Sequence, residues 1–134
     1  MNPKGITLIE MIVVIMMVGI LAAIAVPIYT GYLQRARRAD AKATLEQFRA
    51  SQEMRRSERG TYSTDLNELQ NTWGVTVALT YYNIQFSGVS NPNTWTAQAD
   101  SIGTQAADGD LFINYRGQKW DGDGLFYPQG KWAK

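Results

Sequence analysis

From Met11 to Tyr29 the chain runs MIVVIMMVGILAAIAVPIY, without a charged residue. A helix rises about 1.5 Å per residue, so Ile6 to Ile28 would span roughly 30 Å, enough to cross the hydrocarbon core of a bilayer. A secretory signal peptide is the first alternative. Its apolar region is typically about 7–15 residues, and this run is longer, although Ala22-Ala23-Ile24-Ala25 offers a small-residue cleavage site. Glu10 stands one position before the run, with Ile6, Thr7, Leu8 and Ile9 on its other side. A carboxylate near hydrocarbon is costly and normally needs a partner. Either Glu10 has one, or it is the last polar residue of a short tail at the membrane interface.

After Thr30 the chain is polar and mixed in sign. With 134 residues it suggests one ordinary domain. Its 13 basic and 12 acidic residues give no basic excess. Binding a phosphate backbone usually needs one, so no specific nucleic acid is expected. There is no Cys and no His. Disulfides are excluded, and so is the commonest general base and metal ligand. No enzyme activity and no cofactor are expected.

Several motifs now stand together. Lys4-Gly5 precedes Ile6-Thr7-Leu8-Ile9-Glu10. Met11 to Val14, Gly19 to Ala25 and Pro27 follow. Over Lys4 to Tyr29 the sequence resembles the N-terminus of type IV prepilins. The resemblance implies a leader of residues 1–5, cut by prepilin peptidase between Gly5 and Ile6, with methylation of the new amine on Ile6. Ile6 stands where most relatives carry Phe or Met. Residues 6–29 would be a transmembrane and assembly helix, and Glu10 would meet the N-terminal amine of a neighbouring subunit. A buried charge is tolerated when paired, and here the pair can form only between chains. Gly19 and Pro27 bracket a stretch weak in helix propensity. An ordinary membrane-helix glycine and a simple kink account for them; the resemblance adds partial unwinding in the filament. The precursor would sit in the bacterial inner membrane as a single span with its head outside the cytoplasm, then move to a surface pilus. A positive-inside count over Arg35, Arg37, Arg38 and Lys42 favours the opposite orientation, so the orientation follows the resemblance.

Thr30 to Arg59 has no Pro and one Gly, and is rich in helix formers. Leu33, Ala36, Ala41, Leu45 and Phe48 form a narrow apolar stripe. One long helix from about Ile6 to Arg59 is expected, bent near Pro27 and stopped at Gly60. Arg35-Ala36-Arg37-Arg38 can touch lipid headgroups, acidic residues of a neighbour, or solvent; a DNA contact is the weakest reading of it. Arg59-Gly60-Thr61-Tyr62 also resembles the tract that leads into pilin heads. Asp65 is placed to cap a helical turn over Leu66 to Leu69.

Residues 60–134 should form a globular β head. Tyr82, Ile84 and Phe86 alternate with polar neighbours, as do Trp95, Ala97 and Ala99, and Leu111 to Tyr115 makes a third strand. Asn91-Pro92-Asn93 has turn chemistry, and Arg116 to Lys119 turns towards Trp120. The fold class is α+β: a long N-terminal helix, its hydrophobic half protruding, packed on a small antiparallel sheet. Trp73, Trp95, Trp120 and Trp132 supply packing area. Asp108, Asp110, Asp121 and Asp123 lie in Gly-rich loops that weakly suggest Ca²⁺, but they lack the remaining ligands of an EF-hand, and Asp and Gly are also good turn formers.

The leading function is a structural subunit of a type IV pilus. Its partners would be copies of itself in a helical filament, other pilins, prepilin peptidase and the inner membrane before assembly. Adhesion, twitching motility and DNA uptake are roles of the whole fibre. A pseudopilin of a type II secretion system is the alternative, although Phe126-Tyr127-Pro128-Gln129-Gly130 is not the D-P-W-G pattern of the major pseudopilins. A membrane-tethered binding or enzymatic domain is a third; it would need neither Glu10 nor the Lys4-Gly5 junction.

Overall fold

The computed structural model describes residues 5–87, 93–122, 124 and 130–133. Its first element is a 52-residue helix, α1, over Leu8–Arg59, unbroken through Gly19 and Pro27. The chain divides into two compact units, Met1–Gln34 and Arg35–Lys134, and α1 contributes to both.

In the first unit every large apolar side chain from Leu8 to Tyr32 is exposed, from 39% at Val13 to 78% at Leu8. Pro27 has no N–H to give to the Ala23 carbonyl. Its own carbonyl accepts a bond from the Thr30 hydroxyl at 3.0 Å.

In the second unit α1 buries Arg38, Ala41, Thr44, Leu45, Phe48, Ser51 and Gln52. These fall at spacings of three and four, so they form one face. Of the expected stripe, Ala41, Leu45 and Phe48 are in the core, while Leu33 is half-buried and Ala36 exposed. Gly60 ends the helix at φ +79°, where a side chain would be strained, and its N–H bonds the Arg56 carbonyl at 2.8 Å.

The buried Gln52 amide then bonds both the N–H and the C=O of Ser63, fixing the tract after Gly60. A short helix, α2, spans Leu66–Trp73. It runs one turn beyond the expected Leu66 to Leu69 because Gly74, at φ 68°, supplies the stop.

Four antiparallel strands follow: β1 Tyr82–Ser87, β2 Thr96–Ser101, β3 Leu111–Asn114 and β4 Lys119–Asp121. They pair in chain order β1-β2-β3-β4, with Ile84 opposite Ala99 and Ala99 opposite Leu111. The alternation sorts the faces as expected. Tyr82, Ile84, Ala97, Ala99, Leu111 and Ile113 join Ala41, Leu45 and Phe48 of α1 in one core. Phe48 meets Trp95 edge-on at 5.3 Å. The fold is α+β, with the Arg35–Arg59 part of the helix packed on the sheet. Trp132 is also buried, and its indole N–H bonds the Trp120 carbonyl at 2.8 Å.

Three details differ from expectation. The helix starts at Leu8 and not Ile6, because Thr7 caps it. Gly103–Asp108 forms a 3-10 helix that no periodicity announced. Arg38, which the sequence places in an exposed basic cluster, is buried with its fork on Asp108. Lys4, Asn91 and Pro92 of the expected turn, Asp123, and Phe126 to Gln129 lie outside the described residues.

Candidate functional site: the N-terminal segment and the head

Gly5, Ile6 and Thr7 precede α1, outside any helix or strand. Thr7 and Glu10 make a reciprocal cap. The Glu10 carboxylate accepts from the Thr7 N–H and the Thr7 hydroxyl, each at 2.7 Å. The Glu10 N–H donates back to the Thr7 hydroxyl at 3.3 Å. This is a T-x-x-E capping box, which satisfies two of the N–H groups that a helix start leaves open. Glu10 therefore has hydrogen-bond partners in its own chain, though no cationic one among the described residues. The spacing Thr7 to Glu10 was readable and the sequence reasoning passed over it.

Around Glu10 the surface is apolar: Ile9, Val13, Val14 and Met17 line a shallow groove with it. A side chain at Gly19 would meet nothing within 4 Å, so no contact within the chain requires glycine there. Burying a large apolar side chain is worth about 1.5–3 kcal/mol. A run of them left in water is untenable, so the segment needs a nonaqueous partner. The helix is long and apolar enough to cross a membrane, with a mean hydropathy of 2.9 over its best 18-residue window.

In the head, Arg38 holds Asp108 with both nitrogens of its fork, one of them, Nε, at 2.7 Å. Tyr82 adds its hydroxyl at 2.9 Å and Gln105 its amide at 3.0 Å. Burial would raise the Asp108 carboxyl, but these donors outweigh it and hold it below the usual carboxylate range. Burial pushes the Tyr82 hydroxyl up to about 12. Asp110 accepts from the Ser101 N–H at 2.9 Å and from Gln98 at 3.0 Å. Burial and the nearby Asp110 raise the Asp100 carboxyl. Asp121 is buried and accepts the Lys131 N–H at 2.8 Å. Of the four aspartates considered for Ca²⁺, the three described thus each hold the loops through hydrogen bonds. Among the described residues, no three acidic side chains come together as a metal site.

Residues 1–26 match the prokaryotic N-terminal methylation motif. Residues 27–111, well over half the chain, match the family described as type IV minor pilin ComP, DNA uptake sequence receptor. The chain belongs to this type IV pilin family. The type IV major pilin protein PilA of Myxococcus xanthus is 39% identical over 70 residues. That match covers 51% of this chain and 32% of the relative, about a third of its length.

Two solved structures share the pilin fold. A type IV pilin from Shewanella oneidensis superposes with a TM-score of 0.51 at 18% identity, over 71% of this chain and 91% of that one. The non-core minor pilin PilV of Neisseria meningitidis gives 0.55 at 22%, over 74% and 93%. Pilins of this family and fold are structural subunits and not enzymes.

Proposed function

We propose that this pilin is cut between Gly5 and Ile6, methylated on Ile6, and built into a type IV pilus through its N-terminal helix. The observation that carries the reading is the methylation motif over residues 1–26, continuous with a helix whose large apolar side chains are all exposed from Leu8 to Tyr32. Before assembly the bilayer covers that surface, with the precursor in the bacterial inner membrane and its head outside the cytoplasm. In the fibre, the helices of other pilin subunits replace the lipid. Glu10 then exchanges its Thr7 cap for the amine of a neighbour. Gly19 and Pro27 mark where the helix can loosen as it packs.

Intact mass spectrometry on sheared filaments and on the membrane fraction tests this. Chain starting at methylated Ile6 in filaments is the expected result. Processed chain confined to membranes would favour the type II secretion alternative, and an uncut chain beginning at Met1 in both would overturn the processing. Glu10→Ala should leave insertion intact and reduce filament number at least tenfold, on the estimate that an unpaired buried charge costs several kcal/mol. Normal filaments from that variant would remove Glu10 from the mechanism.

DNA uptake is the fibre role that the family's description favours over adhesion or twitching. Without Lys4 and Glu10, the remainder of the chain keeps twelve basic and eleven acidic residues. Any DNA contact must then come from a local patch and not from overall charge. Pull-down of duplex DNA by purified filaments checks it, and capture no better than by filaments lacking this chain would reject it.

A further inference from the structure

Along α1 from Arg35 to Arg59, most charged side chains are used within the chain. Ion pairs with Asp108, Lys119 and Glu68, and contacts with Tyr81, Tyr62 and Trp132, take them up. Among the described residues Arg35, Asp40 and Glu58 have no such partner, and all three are exposed. At about 100° per residue, Arg35 and Asp40 stand about 140° apart around the helix. They flank the buried stripe of Ala41, Leu45 and Phe48 on opposite sides. Glu58, five full turns beyond Asp40, lies on the Asp40 flank.

Arg37 is three residues from Asp40 and does not neutralise it. Its guanidinium lies 3.8 Å over the Tyr81 ring and donates to Thr104 at 3.3 Å. Asp40 is left at the edge of a cleft of about 350 Å³, whose walls include Tyr81 and Tyr82. With Arg37 already stacked on Tyr81, the exposed Asp40 carboxylate at this edge is left to pair with a guanidinium from another chain.

We propose that the two flanks are the halves of a head-to-tail contact between copies of this chain, in which Arg35 of one copy pairs with Asp40 of the next. When two different patches meet, the contact is heterologous, and where its rotation does not close a ring it repeats as an open helical array. Five residues of helix place the two charges about 7.5 Å apart along the axis. Neighbouring parallel helices in register with this contact are staggered by about that distance. The inference rests on the pilin reading above and names the residues that fix neighbour register.

Charge reversal tests it in the full chain. Arg35→Glu and Asp40→Arg should each lower the filament recovered by shearing by about tenfold. An exposed pair is worth only a few-fold, but reversal turns attraction into repulsion at every contact along the fibre. Subunit in the membrane fraction should be unchanged, and the double reversal should restore filaments to within about twofold. No loss in the single variants, no rescue in the double, or rescue of Arg35→Glu by Glu58→Arg instead, would overturn the pairing.

Because the chain has no native cysteine, a second measurement is independent of yield. Arg35→Cys with Asp40→Cys in one chain cannot close internally, since the two Cα atoms are about 8–9 Å apart on the helix, beyond disulfide reach. Oxidised filaments should give a ladder of covalent multimers, absent from either single variant. Filaments that contain the chain but give no ladder would overturn this contact alone; absence of the unaltered chain from filaments would overturn the pilin reading with it.

Discussion

Residues Leu8–Gln34 and Arg35–Arg59 belong to one helix, held by one pattern of backbone bonds, yet their side chains meet opposite fates. In the first stretch not one large apolar side chain from Leu8 to Tyr32 is buried. In the second, seven residues are, and four of them, Ala41, Leu45, Phe48 and Gln52, are wholly shielded by the head. Backbone bonding does not distinguish the two; the partner does. The second stretch finds its partner inside the chain, and the first needs one outside it, which the function proposed above supplies as lipid and then other subunits. A pilin needs both solutions in one element. The head has to be stable before assembly, and the apolar surface has to stay available for exchange.

The sharpest way to break the comparison is at the buried ion pair. Asp108→Ala leaves Arg38 buried without its counter-charge, and losing one partner of such a pair costs about 3–5 kcal/mol. All four tryptophans lie between Trp73 and Trp132, so their fluorescence reports the head alone, even in detergent-solubilised full chain. Asp108→Ala should lower the head's melting temperature by 10 °C or more, and an unchanged melt would show that the pair is not needed. The pH dependence follows from the same cluster. Asp108 has a depressed folded value, so its contribution is present above its unfolded value near 4 and is lost as acid titrates it below that. Tyr82 is raised, so its contribution is intact below about pH 10 and is lost as pH rises towards 12. The head should therefore melt earlier at both extremes; Tyr82→Phe should remove the alkaline loss and, by taking one donor from Asp108, soften the acid loss as well.

Next in size is a paired truncation of leucines on the same helix. Leu45→Ala empties a fully buried position and should cost about 2–4 kcal/mol of head stability. Leu21→Ala removes the same atoms from an exposed position and should leave the head's melt unmoved. If the two variants melted alike, the division of labour along α1 would be wrong.

What was legible in the sequence follows the same division. The apolar run, the stripe of Ala41, Leu45 and Phe48, and the alternation of Tyr82, Ile84 and Phe86 are periodic, and periodicity reports burial directly. Gly60 and Asp65 act on adjacent backbone, so local rules found them too. The Arg38–Asp108 pair joins residues seventy positions apart through a 3-10 helix with no periodic signal. Arg38 therefore read as one more charge in a basic cluster. The aspartate loops are alike in this: Asp110 takes its donors from Ser101 and Gln98, and Asp121 from the Lys131 N–H, all in other segments where no local rule points. Thr7 differs, because its partner is three residues away. Its T-x-x-E spacing is itself the local signature of a capping box.

The smallest effect belongs to the junction where the helix hands over to the head. The Asp65 side chain accepts the Asn67 N–H at 2.8 Å, with its own backbone extended at φ −112°, the usual geometry of an N-cap. Asp65→Ala should cost about 1 kcal/mol, and Asp65→Ser should recover most of it, since a hydroxyl also caps. The effect should appear in the head's melt, while filament assembly through the N-terminal segment stays normal. A filament defect in Asp65→Ala at temperatures where the head remains folded would mean that α2 also touches a neighbouring subunit. The helix would then no longer be the only element divided between internal and external partners.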